Sequence, residues 1–290
     1  MAVSTTTANE LTAEQVQKIL VQPLEDKSQF LAAGPRIFDT NGSQVRIPKM
    51  GGPTTPSWHG ENEQISEQDP SFDEITLLPS TMKSVKVLTR YSNEMARQSI
   101  VSLDAALKDR LVTDVASTID AQLFGSSGDG IVQPQGILAW EGTQKSDAAG
   151  ADLDLDALID AWGLALSANV DMARLRWVMR PEAFTALRKV KQGTGSNQYV
   201  LTPDATQDGV FRLFGSPVVV TSRLPRNAED QQAVVLADFA QIAVARDQAP
   251  TVKILDQTFG DYDQQAIRVT ARYDAAPLNP EAVVIIEGLA

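Results

Sequence analysis

The chain has 290 residues, of which 43% are hydrophobic. This length suffices for one large domain or about two smaller ones, and the hydrophobic content excludes a disordered chain. Its 25 Lys and Arg against 37 Asp and Glu give a net charge of −12, the opposite of the basic surface with which a protein grips nucleic acid. There is no cysteine and a single histidine, His59, which excludes disulfides, cysteine nucleophiles, thiolate zinc sites and multi-histidine metal sites.

The sequence shows neither a signal peptide nor a membrane-spanning helix. The first residues lack the basic start and apolar run of a signal peptide. No apolar stretch approaches the ~18 residues that a membrane helix needs. We therefore expect a soluble protein that is made in the cytoplasm.

The N-terminal part predicts a helix, a strand and a long hairpin. Residues 12–24 have the spacing of a short amphipathic helix, and residues 43–48 follow an Asn-Gly turn and predict a strand. Residues 50–82 are rich in glycine and proline and hold six carboxylates but neither Lys nor Arg. Apolar and polar residues alternate from Phe72 to Leu78, which predicts a returning strand. Because structureless loops of this length are rare inside compact domains, we interpret residues 50–82 as a hairpin that leaves the body of the protein.

The clearest helix follows a predicted strand at residues 85–91. Ser102 is its expected N-cap, and Gly125 is expected to end it. About 22 residues span roughly 33 Å. Because 3.6 residues make a turn, a four-residue repeat winds around the helix, so several elements must cover it in succession. The repeat consists of Leu103, Leu107, Leu111, Val115, Ile119 and Leu123.

The second half of the chain alternates helices and strands, which predicts an α+β or mixed fold. Helices are predicted at residues 155–166 and 182–191, the second opened by Pro181 at its first position. The predicted strands span residues 175–179, 217–221, 233–237, 242–245, 251–255, 266–272 and 282–286.

Two motifs resemble ligand-binding loops but fail in context. The glycines of residues 125–130 follow a helix, whereas a phosphate loop leads from a strand into a helix. They predict a helix stop and a turn. Asp152, Asp154 and Asp156 begin like a calcium loop but lack the glycine and glutamate that complete one. They are instead typical of acids at a helix N-terminus.

Three further groups of charged or titratable residues have a structural and a functional interpretation. His59 and Glu61 could form a proton relay, but nothing nearby completes a catalytic set, and a surface or interface histidine is favoured. Arg188, Lys189 and Lys191 come late in a predicted helix, where cations suit the helix dipole, and predict a solvated face. The acids of residues 61–74 are either a solvated loop or an arm that lies on a neighbouring molecule. The arm is favoured, because a long ordered loop needs compensating contacts.

A series of short segments extends in a fixed order along the chain. They are Val45-Arg46-Ile47-Pro48, Trp58-His59-Gly60-Glu61, Phe72-Asp73-Glu74-Ile75-Thr76-Leu77, Tyr91-Ser92-Asn93-Glu94, Leu123-Phe124-Gly125, Gly128-Asp129-Gly130, Pro134-Gln135-Gly136-Ile137-Leu138, Leu213-Phe214-Gly215-Ser216-Pro217-Val218, Leu236-Ala237-Asp238-Phe239, Ala245-Arg246, Arg268-Val269-Thr270-Ala271-Arg272-Tyr273-Asp274 and Pro280-Glu281-Ala282. Together they resemble the major capsid proteins of tailed bacteriophages, over about residues 12–290.

The resemblance implies an α+β capsid fold of the Hong Kong 97 type. Its parts would be an N-terminal arm, an extended hairpin loop, a peripheral domain with a long spine helix, and an axial domain. By position these are residues 1–49 for the arm, 50–82 for the loop, 83–150 and 249–276 for the peripheral domain with its spine helix at 102–124, and 151–248 and 277–290 for the axial domain.

The resemblance also implies a structural role without catalysis or a cofactor. Family members form hexamers and pentamers that close an icosahedral shell around double-stranded DNA. The expected partners are other copies of the chain and portal, scaffolding or decoration proteins, with no membrane. The expected location is the virion, after assembly in the host cytoplasm. The net charge of −12 would limit adhesion of packaged DNA to the wall.

Two departures from relatives are expected to matter. Met1 lies so close to the arm that no room remains for a cleaved scaffold segment, so either a separate scaffold exists or the sequence starts at a processed end. Residues 50–82 contain no lysine, so the Lys–Asn crosslinks that some relatives form from this loop are not expected.

The predicted contact residues lie in the loop. Trp58 and Phe72 are expected to anchor it, because aromatic side chains dominate interface energetics. Its acids Glu61, Glu63, Glu67 and Asp69 are expected to pair with cations of another subunit. Two alternatives are an encapsulin-type compartment that encloses cargo enzymes and a soluble enzyme with a carboxylate site in residues 61–74. The long polar arm argues against the first, and the lack of His, Cys or Ser partners argues against the second.

Overall fold

The computed structural model describes residues 27–50, 58–62, 72–78, 83–94, 103–191, 211–247, 251–255, 257–258 and 260–290. The helix predicted at residues 12–24 lies outside this part of the chain. The helices described are α1 (Gln29–Ala32), α2 (Leu103–Leu123), α3 (Leu155–Ser167) and α4 (Pro181–Arg188). The strands are β1 (Arg36–Thr40), β2 (Val45–Met50), β3 (Phe72–Leu77), β4 (Ser84–Ser92), β5 (Gln144–Asp147), β6 (Leu175–Met179), β7 (Arg212–Leu213), β8 (Ser216–Val220), β9 (Gln232–Asp238), β10 (Ile242–Asp247), β11 (Thr251–Leu255), β12 (Gln264–Pro277) and β13 (Val283–Leu289).

The strands form three sheets. One five-stranded sheet has the order β1-β10-β12-β11, with β4 also paired to β12. A six-stranded sheet has the order β5-β13-β9-β6-β8-β7, and β2 and β3 pair as a separate two-stranded sheet. The long strand β12 pairs with β10 through one half and with β11 and β4 through the other. It is therefore the element that joins the parts of the first sheet.

Helix α2 is the spine helix that the four-residue repeat predicts, and its predicted bounds are confirmed to within one residue at each end. Leu111, Val115, Ile119 and Leu123 are all buried in one core cluster. The helix packs against β4 and β12. Burial of a winding apolar stripe against several elements, rather than helix propensity alone, holds this helix in place.

The six-stranded sheet lies between two cores. In β9, Val234 and Leu236 face the cluster beneath α3 and α4, whereas Val235 and Ala237 face the cluster that contains α2. All seven residues of β9 are buried, as expected for a strand covered on both faces. The parallel neighbours β6 and β8 are joined through α4, which lies on the same face as α3.

Some elements differ from their predictions. Helix α4 ends at Arg188 rather than at residue 191, because the amides of Lys189 and Val190 bond to carbonyls three residues back and tighten the last turn. The sequence did not predict the short strands β1, β5 and β7. These are edge strands with few apolar residues, and β1 is held by parallel pairing to β10, about two hundred residues away.

The turn after α2 requires a glycine at position 136. A Cβ atom on Gly136 would collide with the backbone carbonyl of Gly125, which accepts a hydrogen bond from the amide of Leu138. We expect Gly136→Ala to lower the free energy of unfolding by about 2 kcal/mol or more, because backbone would have to move. Chemical unfolding of the unassembled subunit, followed by circular dichroism, measures this loss.

The matched control is Gly163→Ala in α3. A Cβ at this helical position meets no atom within 4 Å, so alanine is expected to stabilise the subunit by up to ~1 kcal/mol through its higher helix propensity. Equal stabilities of the two variants would contradict the close approach assigned to Gly136.

Candidate assembly surfaces

The hairpin of β2 and β3 is attached to the protein mainly at its base. The strands pair antiparallel from Val45–Leu77 to Met50–Phe72 and, among the described residues, with no other strand. Leu77 and Leu78 at the base are buried with Ala243 and Ala245 of β10. Farther along, the Arg46–Glu74 ion pair is 3.7 Å long with both side chains more than half exposed, and such a pair contributes little to stability.

Trp58 lies between these strands in sequence and is completely exposed, at 102% of its reference area. A tryptophan side chain can bury 150–250 Å², so its full exposure leaves a large apolar group in water. Glu61 is exposed in the turn that follows. Phe72 is the first residue of β3 and pairs with Met50 through the backbone.

The remaining predicted contacts, Glu63, Glu67 and Asp69, lie outside the described residues. The inter-subunit roles of all six residues therefore stay predictions. His59 is exposed beside Trp58. Within the described ranges, no group of three or more acidic or histidine side chains is arranged to hold a metal ion.

One buried carboxylate fixes the point where the hairpin returns from β3 to the body. Asp274 of β12 lies 2.7 Å from the Nζ of Lys83, just before β4, and accepts a 2.9 Å hydrogen bond from the amide of Leu78, just after β3. The side chains of Lys83 and Asp274 are only 7% and 2% exposed. Leu78 adopts a left-handed backbone conformation with φ 52°, so the chain turns sharply at the point where Asp274 holds it.

A second buried carboxylate anchors the segment that enters from the N-terminal arm. Asp120 of α2 accepts hydrogen bonds from the hydroxyl of Ser28 at 2.6 Å and from the amides of Gln29 and Phe30 at 2.8 and 3.2 Å. Burial raises the pKa of Asp120, and these three hydrogen bonds offset part of that effect. The Phe30 ring contacts the edges or faces of two core aromatics at centroid distances of 5.1 and 5.5 Å.

A third group of polar contacts, which includes two ion pairs, fixes the path from β1 into the hairpin. Arg246 of β10 donates two hydrogen bonds to Asp39 of β1, at 2.6 and 2.9 Å. The adjacent Asp247 accepts from the amide of Gly42 at 2.6 Å and from Arg272 at 2.8 Å. Because Arg246 and Asp247 come from the core strand, they hold β1 and the following turn against the rigid sheet.

The sequence did not identify these anchoring carboxylates. A signal existed for Asp120, since an aspartate lies between Ile119 and Leu123 on the buried face of a helix. No comparable local signal existed for Asp274, whose partners Leu78 and Lys83 are more than 190 residues away.

The two loop motifs have the structural roles that the sequence favoured. Asp154 caps α3 by accepting from the amide of Ala157 at 2.8 Å, and Asp156 lies in the first turn. Asp129 accepts three amide hydrogen bonds within the turn after α2, which lower its pKa. No helix in the described part of the chain is long and apolar enough to cross a membrane.

The basic cluster of α4 is only partly the solvated face that was predicted. Lys189 and Lys191 are exposed. Arg188 instead lies over the rings of Phe184 and Phe211, with its guanidinium carbon 5.8 and 5.6 Å from their centroids. The prediction of a solvated face is therefore wrong for Arg188, because Phe211 arrives from a distant part of the chain to form an aromatic platform.

Comparison with known proteins identifies this arrangement. The model of the phage capsid family matches residues 9–288. The chain belongs to the phage capsid family. The predicted resemblance is thereby confirmed, and the sheets and spine helix described above are those of a phage capsid subunit.

Individual relatives of this capsid chain are distant in sequence. It is 21% identical, over its whole length and 71% of the relative's, to the major capsid protein of Klebsiella oxytoca phage phiKO2. Its fold is similar to that in the capsid of a native GTA particle, with a TM-score of 0.76, 18% identity and 90% of each chain covered. It is also similar to that of Microbacterium phage Oxtober96, with a TM-score of 0.72, 14% identity and coverage of 89% and 90%. The predicted α+β capsid fold of the Hong Kong 97 type is confirmed.

Proposed function

We propose that this chain is the major capsid protein of a tailed phage, and that its copies assemble as hexamers and pentamers into an icosahedral shell around double-stranded DNA. Membership of the phage capsid family over residues 9–288 supports this proposal. So does the name of the phiKO2 relative, a major capsid protein that aligns with the whole chain. The observation that carries it is the separate β2–β3 hairpin with the fully exposed Trp58.

An isolated subunit leaves this hairpin incomplete. A two-stranded hairpin in water is marginally stable by itself, and here its base is packed while Pro48, Asp73 and Glu74 farther out are exposed. A neighbouring subunit supplies the missing contacts. Trp58 and Phe72 then anchor the loop on the neighbour, while Glu61, Glu63, Glu67 and Asp69 pair with its cations. Central aromatic anchors of this kind carry much of the energy of an interface.

The chain acts as a building unit rather than as an enzyme and uses no cofactor. Other copies are its main partners, and portal, scaffolding or decoration proteins complete the particle in the host cytoplasm before it becomes part of the virion. The net charge of −12 per copy keeps packaged DNA from adhering to the wall, since like charges repel. DNA is thus enclosed without being bound in a sequence-specific way.

Electron microscopy of the purified, negatively stained protein tests the proposal. Round shells of uniform size are expected after expression of the chain, with a scaffolding protein supplied from the same genome if needed. Nuclease-protected DNA inside particles from an infected cell would identify a phage head, whereas enclosed proteins without DNA would indicate a cargo compartment. A preparation that stays monomeric under all these conditions would contradict the capsid role.

Replacing Trp58 with alanine tests the anchoring contact. We expect Trp58→Ala to fold normally, because the Trp58 side chain is completely exposed in the subunit. We expect its yield of shells to fall at least about tenfold, since loss of an interface hot spot costs ~2 kcal/mol or more. Light scattering during assembly and particle counts in micrographs measure the yield.

Tyr262→Ala is the matched control, because Tyr262 is a 76% exposed aromatic residue away from the hairpin. Its yield is expected to equal that of the wild type. An undiminished yield of Trp58→Ala would show that Trp58 is not an anchor.

A further inference from the structure

Helix α3 has a wider apolar sector than its own sheet covers. Leu158, Ala161 and Ala165 are fully buried against the sheet. Ile159 and Leu166, seven residues apart and thus on one flank of the helix, are 49% and 45% exposed. About half of each aliphatic side chain therefore remains in water, although surface helices usually turn polar residues outward.

The same outward face carries two further features that disfavour an isolated helix. Asp156 and Asp160 are exposed like charges at i and i+4, and neither forms an ion pair with any described residue; such a spacing destabilises a helix. Between them and Leu166 lies Gly163, where a Cβ would meet no atom within 4 Å. A glycine within a helix is less favourable than alanine, and no contact with the described residues explains it. A partner with an apolar and positively charged surface that approaches closely at Gly163 would cover the exposed aliphatic side chains, neutralise the like charges and explain the glycine.

The described chain presents a surface of the complementary kind. Phe184 of α4 and Phe211 contact each other at a centroid distance of 4.8 Å with their planes tilted by 55°, and Arg188 lies over both rings. Phe211 is 43% exposed, and Arg188 forms no ion pair within the described residues. A guanidinium placed over partly exposed aromatic rings combines the residue types that are enriched at protein interfaces.

Among the described residues, no ion pair joins Arg188 to Asp156 or Asp160 of the same subunit. Helix α3 packs on β13, the second strand of the six-stranded sheet, whereas Phe211 immediately precedes β7, the last strand. Four inter-strand steps of about 4.8 Å separate these two strands by roughly 19 Å. Contacts between two unlike surfaces of identical subunits are head-to-tail, and when their rotation closes they form rings.

We propose that the outer face of α3, formed by Asp156, Ile159, Asp160, Gly163 and Leu166, binds the Phe184–Arg188–Phe211 cluster of a second copy of this chain in a head-to-tail ring. The acids of one copy neutralise Arg188 of the next, and the two aliphatic side chains cover its exposed ring. This inference rests on the proposed capsid function and assigns the surfaces that join neighbours within one ring of subunits.

Charge reversal tests the pairing. The variant Asp156→Lys/Asp160→Lys and the variant Arg188→Glu each place like charges in every contact, and each is expected to lower the yield of rings and shells at least about tenfold. All three substitutions in one chain restore opposite charges and should return the yield to within about threefold of the wild type.

A mixture of the two reversed proteins gives a sharper result. Each protein then repels itself but attracts the other through both of its surfaces, so subunits must alternate around the ring. Six-membered rings are expected to reappear, whereas five-membered rings, which cannot alternate, are not. Mass spectrometry of intact rings and micrographs of the mixture distinguish these products.

Two control variants distinguish a failure of this inference from a failure of the proposed capsid function. Glu229→Lys/Asp261→Lys reverses two exposed acids elsewhere and is expected to assemble normally. Gly163→Gln fills the gap on α3 without any charge change and should fold stably but lose at least about tenfold in assembly yield. Wild-type shells with undiminished assembly of Gly163→Gln and the reversed variants would overturn this inference and leave the capsid function standing. Absence of wild-type shells would instead overturn the capsid function.

Discussion

Asp274→Ala is expected to destabilise the folded subunit by about 3–5 kcal/mol, because it removes the partner of a buried charge. Lys83 would be left with a side chain that is 7% exposed and no carboxylate, and the amide of Leu78 would lose its acceptor. Strand β3 of the hairpin ends at this point, so the orientation of the hairpin should be lost before the rest of the fold. Hydrogen exchange at residues 75–78 and 83–86, together with chemical unfolding, measures the two effects.

Removing both charges separates the ion pair from its surroundings. Lys83→Met/Asp274→Asn leaves no unpaired charge and retains one acceptor oxygen for the amide of Leu78. The double variant should therefore recover most of the stability, since a buried ion pair is often replaced by neutral groups at little cost. A double variant less stable than Asp274→Ala would contradict the assigned cause. The shell yield of the double variant then tests whether the ion pair itself orients the loop.

Asp120→Ala is expected to release the entry of the N-terminal arm from α2. The substitution deprives the Ser28 hydroxyl and the amides of Gln29 and Phe30 of their shared acceptor. Because buried donors without acceptors cost ~1–3 kcal/mol each, we expect a loss of about 3 kcal/mol or more. Faster hydrogen exchange at residues 29–31 and protease cleavage near residue 28 would accompany it.

Asp114→Ala is the control on the same helix. Asp114 pairs with Arg110 at 3.0 Å, but both side chains are largely exposed, so its loss should cost less than ~1 kcal/mol.

The pH dependence of the stability difference between wild type and Asp120→Ala adds a second check. Because burial raises the pKa of Asp120 above 3.8, the folded protein holds this proton more firmly than the unfolded chain. The stability that wild type gains over Asp120→Ala is therefore largest below pH 3.8 and decreases as the pH rises through the raised pKa. An increase of this difference with pH would contradict the direction of the shift.

Local patterns predicted the regular elements well. The four-residue apolar repeat located α2, Pro181 located the start of α4, and short, largely apolar runs located strands such as β6 and β11. These elements are specified by neighbours in sequence, because helix and strand periodicity brings nearby apolar residues onto one face. The short strands β1, β5 and β7 escaped prediction, because distant partners rather than their own composition hold them in a sheet.

The features of the candidate surfaces likewise divide into those that the sequence indicated and those that only the tertiary structure shows. The composition of residues 50–82 and the position of Trp58 indicated a projecting loop, and Trp58 is indeed completely exposed. The sequence could not show that Phe211 contacts Phe184 beneath Arg188, since 27 residues separate the two rings in the chain and no periodicity links them. It also could not show that the apolar sector of α3 exceeds what the sheet covers, because the width of that cover depends on how neighbouring strands and helices pack.

The sequence by itself determined the family, the fold class and the spine helix, because each depends on local periodicity or on an ordered set of short segments. Only the tertiary structure decided which carboxylates anchor the arm and the loop and which surfaces remain uncovered. Asp120 and Asp274 find their partners 90 to 196 residues away. Such contacts arise only when strands and helices from distant parts of the chain are packed together, since burial, which makes these charges matter, is a property of the whole fold.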